Sequence, residues 1–429
     1  MKLKRIFAAM SAALVMAFAM PLGATTEAVN QKLYTPLVAE NTATLKKYLV
    51  LDDGAAVPTV TFSFEVEAGE AVSATSSTME IKAGPMTGSE GAKPEVIDAV
   101  FTVSDSPDVV PGTGHTLSTD YSGKKYVEKE ITFKLNGVTF TEPGIYRYKI
   151  TEKALTTAVN GITQDTKTIY ADVYVTDDTE DATGDPKLKI ANIEGKSPIV
   201  FFTTTDGTAP VINAGANLGS DTYPSGVTKT DCFVNRYTTH DLYFAKKVSG
   251  NQASRDKFFE FTVNISGLSN GAKLGVDIAN AVAKVDQTKS PATKSEYNDK
   301  NNPTEIEDVD SDGVIEEKFY LQHDQYIIIK GIPEGATYNV TEDEEDYKST
   351  AAATTNVVKT IGEGTDTINF DDATGGDVVT ENIYTGFKNE KQGIVPTGIV
   401  LSIVPVLLIG VAVTAGIILL LVRREKNAE

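Results

Sequence analysis

The stretch Gly144-Ile145-Tyr146-Arg147-Tyr148-Lys149-Ile150-Thr151-Glu152 decides the fold. Tyr146, Tyr148 and Ile150 fall at every second position, with Arg147, Lys149 and Thr151 between them. Alternation of this kind is the signature of a half-buried β-strand, because successive side chains point to opposite faces. Glu152 continues the apolar face instead of the polar one. The same pattern returns in Gly335-Ala336-Thr337-Tyr338-Asn339-Val340-Thr341-Glu342, where Glu342 stands in line with Tyr338 and Val340.

Working outward, strand-like runs continue through Val60–Val66, Lys129–Leu135, Ile169–Val175, Phe259–Ile265 and Tyr326–Ile329. Gly, Pro, Asn and Asp separate them, as turns require. Helical periodicity is almost absent between residues 40 and 390. The expectation is an all-β chain of tandem immunoglobulin-like β-sandwiches. A length of 429 residues allows several domains, and 17 Tyr with 17 Phe supply apolar cores.

The two glutamate strands belong to a longer repeat. The first copy reads Leu45-Lys46-Lys47, then Thr151-Glu152, then Phe233-Val234-Asn235. The second reads Phe244-Ala245-Lys246-Lys247, then Thr341-Glu342, then Phe387-Lys388-Asn389. The division between copies falls near Tyr237–Asp241, giving units 41–238 and 239–390. Strand parity puts Lys47 with Leu45, Glu152 with Ile150 and Asn235 with Phe233. It puts Lys246 with Phe244, Glu342 with Val340 and Asn389 with Phe387. Lysine and glutamate are rarely buried without partners, so three inward polar groups per unit need a reason. Parity alone favours Lys47 and Lys246, but the adjacent Lys46 and Lys247 stay open as alternatives.

Lysine, glutamate and asparagine in one apolar core have specific chemistry. Desolvation lowers the lysine pKa, and the neutral amine is a nucleophile. A carboxamide held beside it offers an electrophilic carbon, and orientation makes the step intramolecular. A buried glutamate, its pKa raised, donates to the amide oxygen and then shuttles protons. Ammonia leaves, and Lys and Asn end joined by an isopeptide bond. Each unit reacts once, so the process is maturation and no enzyme turns over.

The ends carry targeting signals. Lys2, Lys4 and Arg5 precede an apolar run from Ile6 to Met20, then Pro21, Gly23 and Ala24. This reads as a secretory signal peptide over 1–27, with cleavage after Ala24 or Ala28. Ile399–Val422 is uncharged and long enough for a transmembrane helix, and Arg423, Arg424 and Lys426 make 423–429 a basic cytoplasmic tail. The intervening chain is expected outside the cell. The net charge is −20, and the middle is more acidic still once the basic ends are removed, which excludes nucleic acid as a partner. One cysteine, Cys232, excludes an internal disulfide framework, so an exported chain needs another staple.

Ile394-Val395-Pro396-Thr397-Gly398 stands directly before the apolar span. It resembles the cell-wall sorting signal of Gram-positive surface proteins, where sortase cuts between Thr and Gly, here Thr397 and Gly398. Val395 and Pro396 complete the motif, and the usual Leu-Pro-x-Thr-Gly is changed by Pro396 standing next to Thr397. Together with the repeat, the chain resembles Gram-positive, streptococcal-type major pilins and their collagen-adhesin B-type relatives. The resemblance implies cross-links Lys47–Asn235 and Lys246–Asn389, with Glu152 and Glu342 as their acids. It also implies polymerisation from Thr397 to a lysine of the next subunit. Lys229, after Tyr223-Pro224 and six residues before Asn235, is the candidate acceptor, with Lys196 behind it. The implied partners are sortase, other copies of the chain, ancillary pilins, peptidoglycan and a host surface ligand, on a wall-anchored pilus at the cell surface. The alternative is a monomeric wall-anchored adhesin or minor pilin; a wall-anchored enzyme ranks third.

Other signals are slighter. Asp308-Val309-Asp310-Ser311-Asp312-Gly313 resembles half a calcium loop, but its twelfth position is Phe319. A solvated acidic turn is the expectation, with weak calcium binding as its alternative. Residues 71–92 and 104–124 read as exposed excursions. His115, His240, His323 and Cys232 offer little for zinc, and no cofactor or metal is expected. No nucleophile–base arrangement stands out.

Overall fold

The computed structural model describes residues 34–87, 91, 93–178, 187–191, 198–205, 208–212, 226–280, 302–343, 345–354 and 378–393. The signal segment, the sorting run 394–398, the stretch 399–422, the basic tail, Lys196 and Tyr223-Pro224 lie outside the described residues. Among the described residues no helix is long and apolar enough to cross a membrane.

The runs that alternate in sequence are strands. Phe259–Ser266 is the cleanest case: Phe259, Phe261, Val263 and Ile265 are fully buried, and the residues between them are half-buried. One such face packs on a core and the other meets water. In the first unit, one sheet runs in the order Ile162–Thr163, Cys232–Tyr237, Thr42–Leu51, Lys125–Lys134, Glu95–Val96. The facing sheet runs Val227–Lys229, Ile199–Thr204, Thr168–Asp178, Gly144–Glu152, Phe64–Ala68. Leu45, Leu49 and Phe133 from the first sheet meet Tyr148, Ile150 and Val173 from the second. Phe133 and Tyr148 lie 5.6 Å apart, ring to ring.

The second unit repeats this plan with a smaller second sheet. Its large sheet runs Glu305–Glu307, Lys273–Asn280, Gln325–Pro333, Thr239–Ser249, Ile383–Glu390, Lys348–Thr354. Val314–Leu321, Phe259–Ser266 and Thr337–Glu342 form the opposing sheet. Phe244 of the large sheet packs on Phe261 and Phe319 of the small one, with ring centroids 5.6 and 5.7 Å apart. The chain is thus all-β in tandem sandwiches, as its alternation predicts.

In both units the lysine strand, Thr42–Leu51 or Thr239–Ser249, lies parallel to the last strand of its sheet, Cys232–Tyr237 or Ile383–Glu390. Lys47 is opposite Phe233, and Asn235 follows two residues on. Lys246 is opposite Phe387, and Asn389 follows two residues on. The repeat in sequence is therefore a repeat in register. Each glutamate strand belongs to the opposing sheet.

The two long excursions of the first unit are not simply exposed. Val110 and Leu117 are buried on Tyr48, Val50 and Cys232, outward residues of the paired strands Thr42–Leu51 and Cys232–Tyr237. Ile81, from the other excursion, is buried with Ile145, Tyr174, Ala191 and Ile212. The reason is that these strands carry apolar residues on both faces, and the outer face needs a cover. Asp308 also departs from the solvated turn. It is only 3% exposed, and its carboxylate accepts from the backbone of Gly271, Asp312 and Gly313. Those hydrogen bonds hold its pKa below the usual carboxylate range despite the burial. No acidic or histidine cluster able to hold a metal occurs among the described residues.

The two units meet across a short junction. Thr239 N donates to Asp52 at 3.2 Å, Asn160 Nδ2 to Gly267 O at 2.8 Å and Thr59 N to Ser269 Oγ at 3.2 Å. Gly161 turns the chain there with φ +78°, and a Cβ on it would stand 2.5 Å from Thr238 O. Only glycine fits both demands.

The candidate cross-linking sites

Each site is assembled from three strands. In the first, Lys47 comes from Thr42–Leu51, Asn235 from Cys232–Tyr237 and Glu152 from the end of Gly144–Glu152. All three side chains are buried; Lys47 and Glu152 are at 0% exposure. Lys47 Nζ donates to Glu152 Oε2 and to Asn235 Oδ1. Asn235 Nδ2 donates to Glu152 Oε1 at 2.6 Å. The glutamate thus touches both the attacking amine and the nitrogen that would leave. Against the expectation of an acid on the amide oxygen, Glu152 faces the amide nitrogen.

The walls are aromatic. Phe62 lies 4.4 Å from Lys47 Nζ and Phe233 5.9 Å. Burial among them pushes the Lys47 pKa down to about 8, against the opposing pull of Glu152 and, more weakly, Asp165; Lys167 adds to the lowering. The neutral, nucleophilic amine is therefore far more accessible than for a surface lysine.

The second site has the same parts. Lys246 Nζ donates to Glu342 Oε1, and Asn389 Nδ2 donates to the same oxygen at 2.7 Å. Lys246 and Asn389 are buried, with the Glu342 side chain 2% exposed. Phe259 lies 4.3 Å and Phe261 5.9 Å from Lys246 Nζ.

The structure turns Lys47 and Lys246 inward, as parity favours. Lys46 points the other way, into a partly exposed ion pair with Glu128 at 3.0 Å that raises its pKa. Lys247 is exposed likewise. Lys46→Ala is expected to leave any mass deficit of the chain unchanged, and Lys47→Ala to remove one ammonia loss. Intact mass spectrometry of both variants reads the difference. Lys229 is exposed on an edge strand, where it pairs with Phe202. Val395, Pro396, Thr397 and Gly398 lie outside the described residues.

Sequence reasoning missed two features. Arg147 and Asp172 form a fully buried pair on the outer face of the second sheet, at Nε–Oδ1 2.7 Å and Nη2–Oδ2 2.8 Å. Asp165 bonds the loop beside Asn235, its carboxylate accepting from Val234 N at 2.7 Å.

Comparison with known proteins adds a family. Residues 43–238 match the Spy0128-like isopeptide-containing domain. A curated pilin of Streptococcus pyogenes serotype M1 is 25% identical over 303 residues, 70% of this chain and 73% of that protein. Over these stretches the chain is similar to an isopeptide-containing domain family and to a streptococcal pilin. Among solved structures, the major pilin of Streptococcus pyogenes is 20% identical over 83% of this chain and all of its own, with a TM-score of 0.49. The T3.2 major pilin of the same organism is 22% identical over 82% of this chain and 99% of its own, at 0.47. The second unit matches, over residues 240–374, a domain family of unknown function, DUF7601. Its Lys246–Glu342–Asn389 site therefore rests on geometry, since Asn389 lies beyond that match.

Proposed function

We propose that the chain is the structural subunit of a sortase-assembled pilus on the surface of a Gram-positive cell, each unit closed by a Lys–Asn isopeptide bond. The observation that carries this reading is the pair of buried triads in identical register, each joining the first and last long strands of its unit. In the first unit, Lys47 Nζ attacks Asn235 Cγ. Glu152 takes a proton from Nζ and gives it to Nδ2. The Nζ–Cγ bond forms, the Cγ–Nδ2 bond breaks and one ammonia leaves. Lys246, Glu342 and Asn389 do the same in the second unit. The reaction needs neither cofactor nor metal and happens once, so the protein is a self-modifying structural part and not an enzyme.

The bonds suit a load-bearing polymer. Tension entering Thr42–Leu51 passes through the Lys47–Asn235 bond into Cys232–Tyr237, and the second unit begins at Thr239. The chain between Lys47 and Asn235 is bypassed. Sortase would cleave between Thr397 and Gly398 and join Thr397 to Lys229 of the next copy, with ancillary pilins and peptidoglycan as further acceptors.

Two measurements test this. The mature chain is expected to weigh two ammonia molecules less than its sequence, with bond formation accelerating as pH rises through about 8, because deprotonation of Lys47 supplies the nucleophile. Co-expressed with its sortase, it is expected to give a ladder that resists boiling in detergent. Lys229→Ala should collapse that ladder to a wall-attached monomer, and Thr397→Ala should abolish both ladder and attachment. A wild-type chain found only as attached monomer would instead identify an adhesin or minor pilin.

A further inference from the structure

The two sites differ at the carbonyl oxygen of the asparagine. Asn235 Oδ1 accepts from Lys47 and also from the backbone N–H of Asp165, at 3.1 Å. Asn389 Oδ1 is buried and accepts no hydrogen bond among the described residues. When an amine adds to a carboxamide, negative charge collects on that oxygen. A fixed N–H aimed at it in a site shut off from water lowers the barrier most where the charge develops.

The N–H of Asp165 is held in place by its own side chain. Oδ2 accepts from Val234 N at 2.7 Å, on the residue preceding Asn235. Oδ1 accepts from Lys167 N at 2.8 Å, closing a tight Asx turn. Lys167 Nζ adds a bond to Cys232 O at 3.1 Å, tying the loop to the same strand. The loop is thus pinned to the asparagine strand at Val234 and Cys232.

We propose that Asp165 is a positioning residue for the first isopeptide bond: its carboxylate clamps the loop so that its backbone N–H forms a one-donor oxyanion hole on Asn235 Oδ1. Among the described residues the second unit offers no such donor to Asn389 Oδ1, so the two bonds form at different rates, Lys47–Asn235 first. This rests on the reading that Lys47 and Asn235 condense.

The test follows both bonds at once. The full chain is made by cell-free synthesis, sampled over time into denaturing acid and digested. Mass spectrometry then gives linked against linear peptide at each site. In the wild type the first bond is expected to form roughly 10–100-fold faster than the second, somewhat under the effect of deleting a donor outright. Asp165→Ala is expected to slow the first bond by the same order and leave the second unchanged. Asp165→Asn keeps an oxygen for Val234 N and is expected to retain the wild-type rate. The rate above the Lys47 titration separates geometry from charge: alanine lowers it, whereas asparagine leaves it in place. The assignment is overturned if alanine links as fast as wild type, or if asparagine is as slow as alanine. A wild-type chain that forms neither linked peptide overturns the cross-linking reading itself, a result that cannot be confused with the other two.

Discussion

Glu152→Ala cuts the deficit between the measured mass and the variant's own sequence mass from two ammonia molecules to one, Glu342→Ala does the same, and the double variant has its full sequence mass. Each glutamate accepts hydrogen bonds from both the lysine and the asparagine of its own site. The triads sit in separate cores, so the losses are additive. Thermal stability falls with them. A bond between Lys47 and Asn235 closes a loop of 188 residues. On the chain-entropy account used for disulfides, that is about 5 kcal/mol. For a unit of this size the melting transition then drops on the order of 10–20 °C.

Glu152→Ala confounds two effects, because it also strands Lys47 in an apolar core. Removing one partner of a buried pair costs about 3–5 kcal/mol by itself. A Lys47→Met/Glu152→Leu variant separates them. It has no cross-link and no buried charge, so its melting deficit reports the bond alone, and it should melt above Glu152→Ala. Equal melting of wild type and the Met/Leu variant, read by calorimetry, would show that no bond stabilises the first unit.

The triads were legible because strand parity is a local property. Whether residue 47 or 46 points inward follows from Leu45 and Leu49, and the structure agrees. The register between first and last strands was legible only as a likeness between two copies of a word. What escaped depends on contacts that spacing does not encode. Val110 and Leu117 look like loop residues until Tyr48 and Val50 are seen to need cover. Asp165 is 70 residues from Asn235 in sequence, and only the loop's closure brings its amide to the carboxamide. Arg147 was read as the polar side of an alternating strand, although the face it occupies is covered. The pairing that explains its burial, opposite Asp172, is a matter of register.

That pair supports the second large prediction. Arg147 is wholly buried: its guanidinium holds Asp172 with two hydrogen bonds, donates to Pro210 O and lies 5.3 Å from the Phe202 ring. Pro210 sits in the segment that, with Ile212, covers this face of the sheet. Asp172→Ala strands a guanidinium that cannot lose its proton, at a cost of about 3–5 kcal/mol. Arg147→Met should cost less, because Asp172 can neutralise itself; burial already pushes its carboxyl pKa up. The sign of the pH dependence follows. With its folded pKa raised above the unfolded value, Asp172 binds its proton more readily in the folded state. The Arg147→Met variant therefore gains stability as pH falls through that raised pKa toward about 4, the range in which the unfolded carboxyl titrates. Asp172→Ala should show no such gain. Denaturant titration of both variants at neutral and mildly acid pH decides the matter. Equal costs at neutral pH, or an Arg147→Met variant indifferent to acid, would mean that the pair is hydrated and not the dry strut its geometry describes.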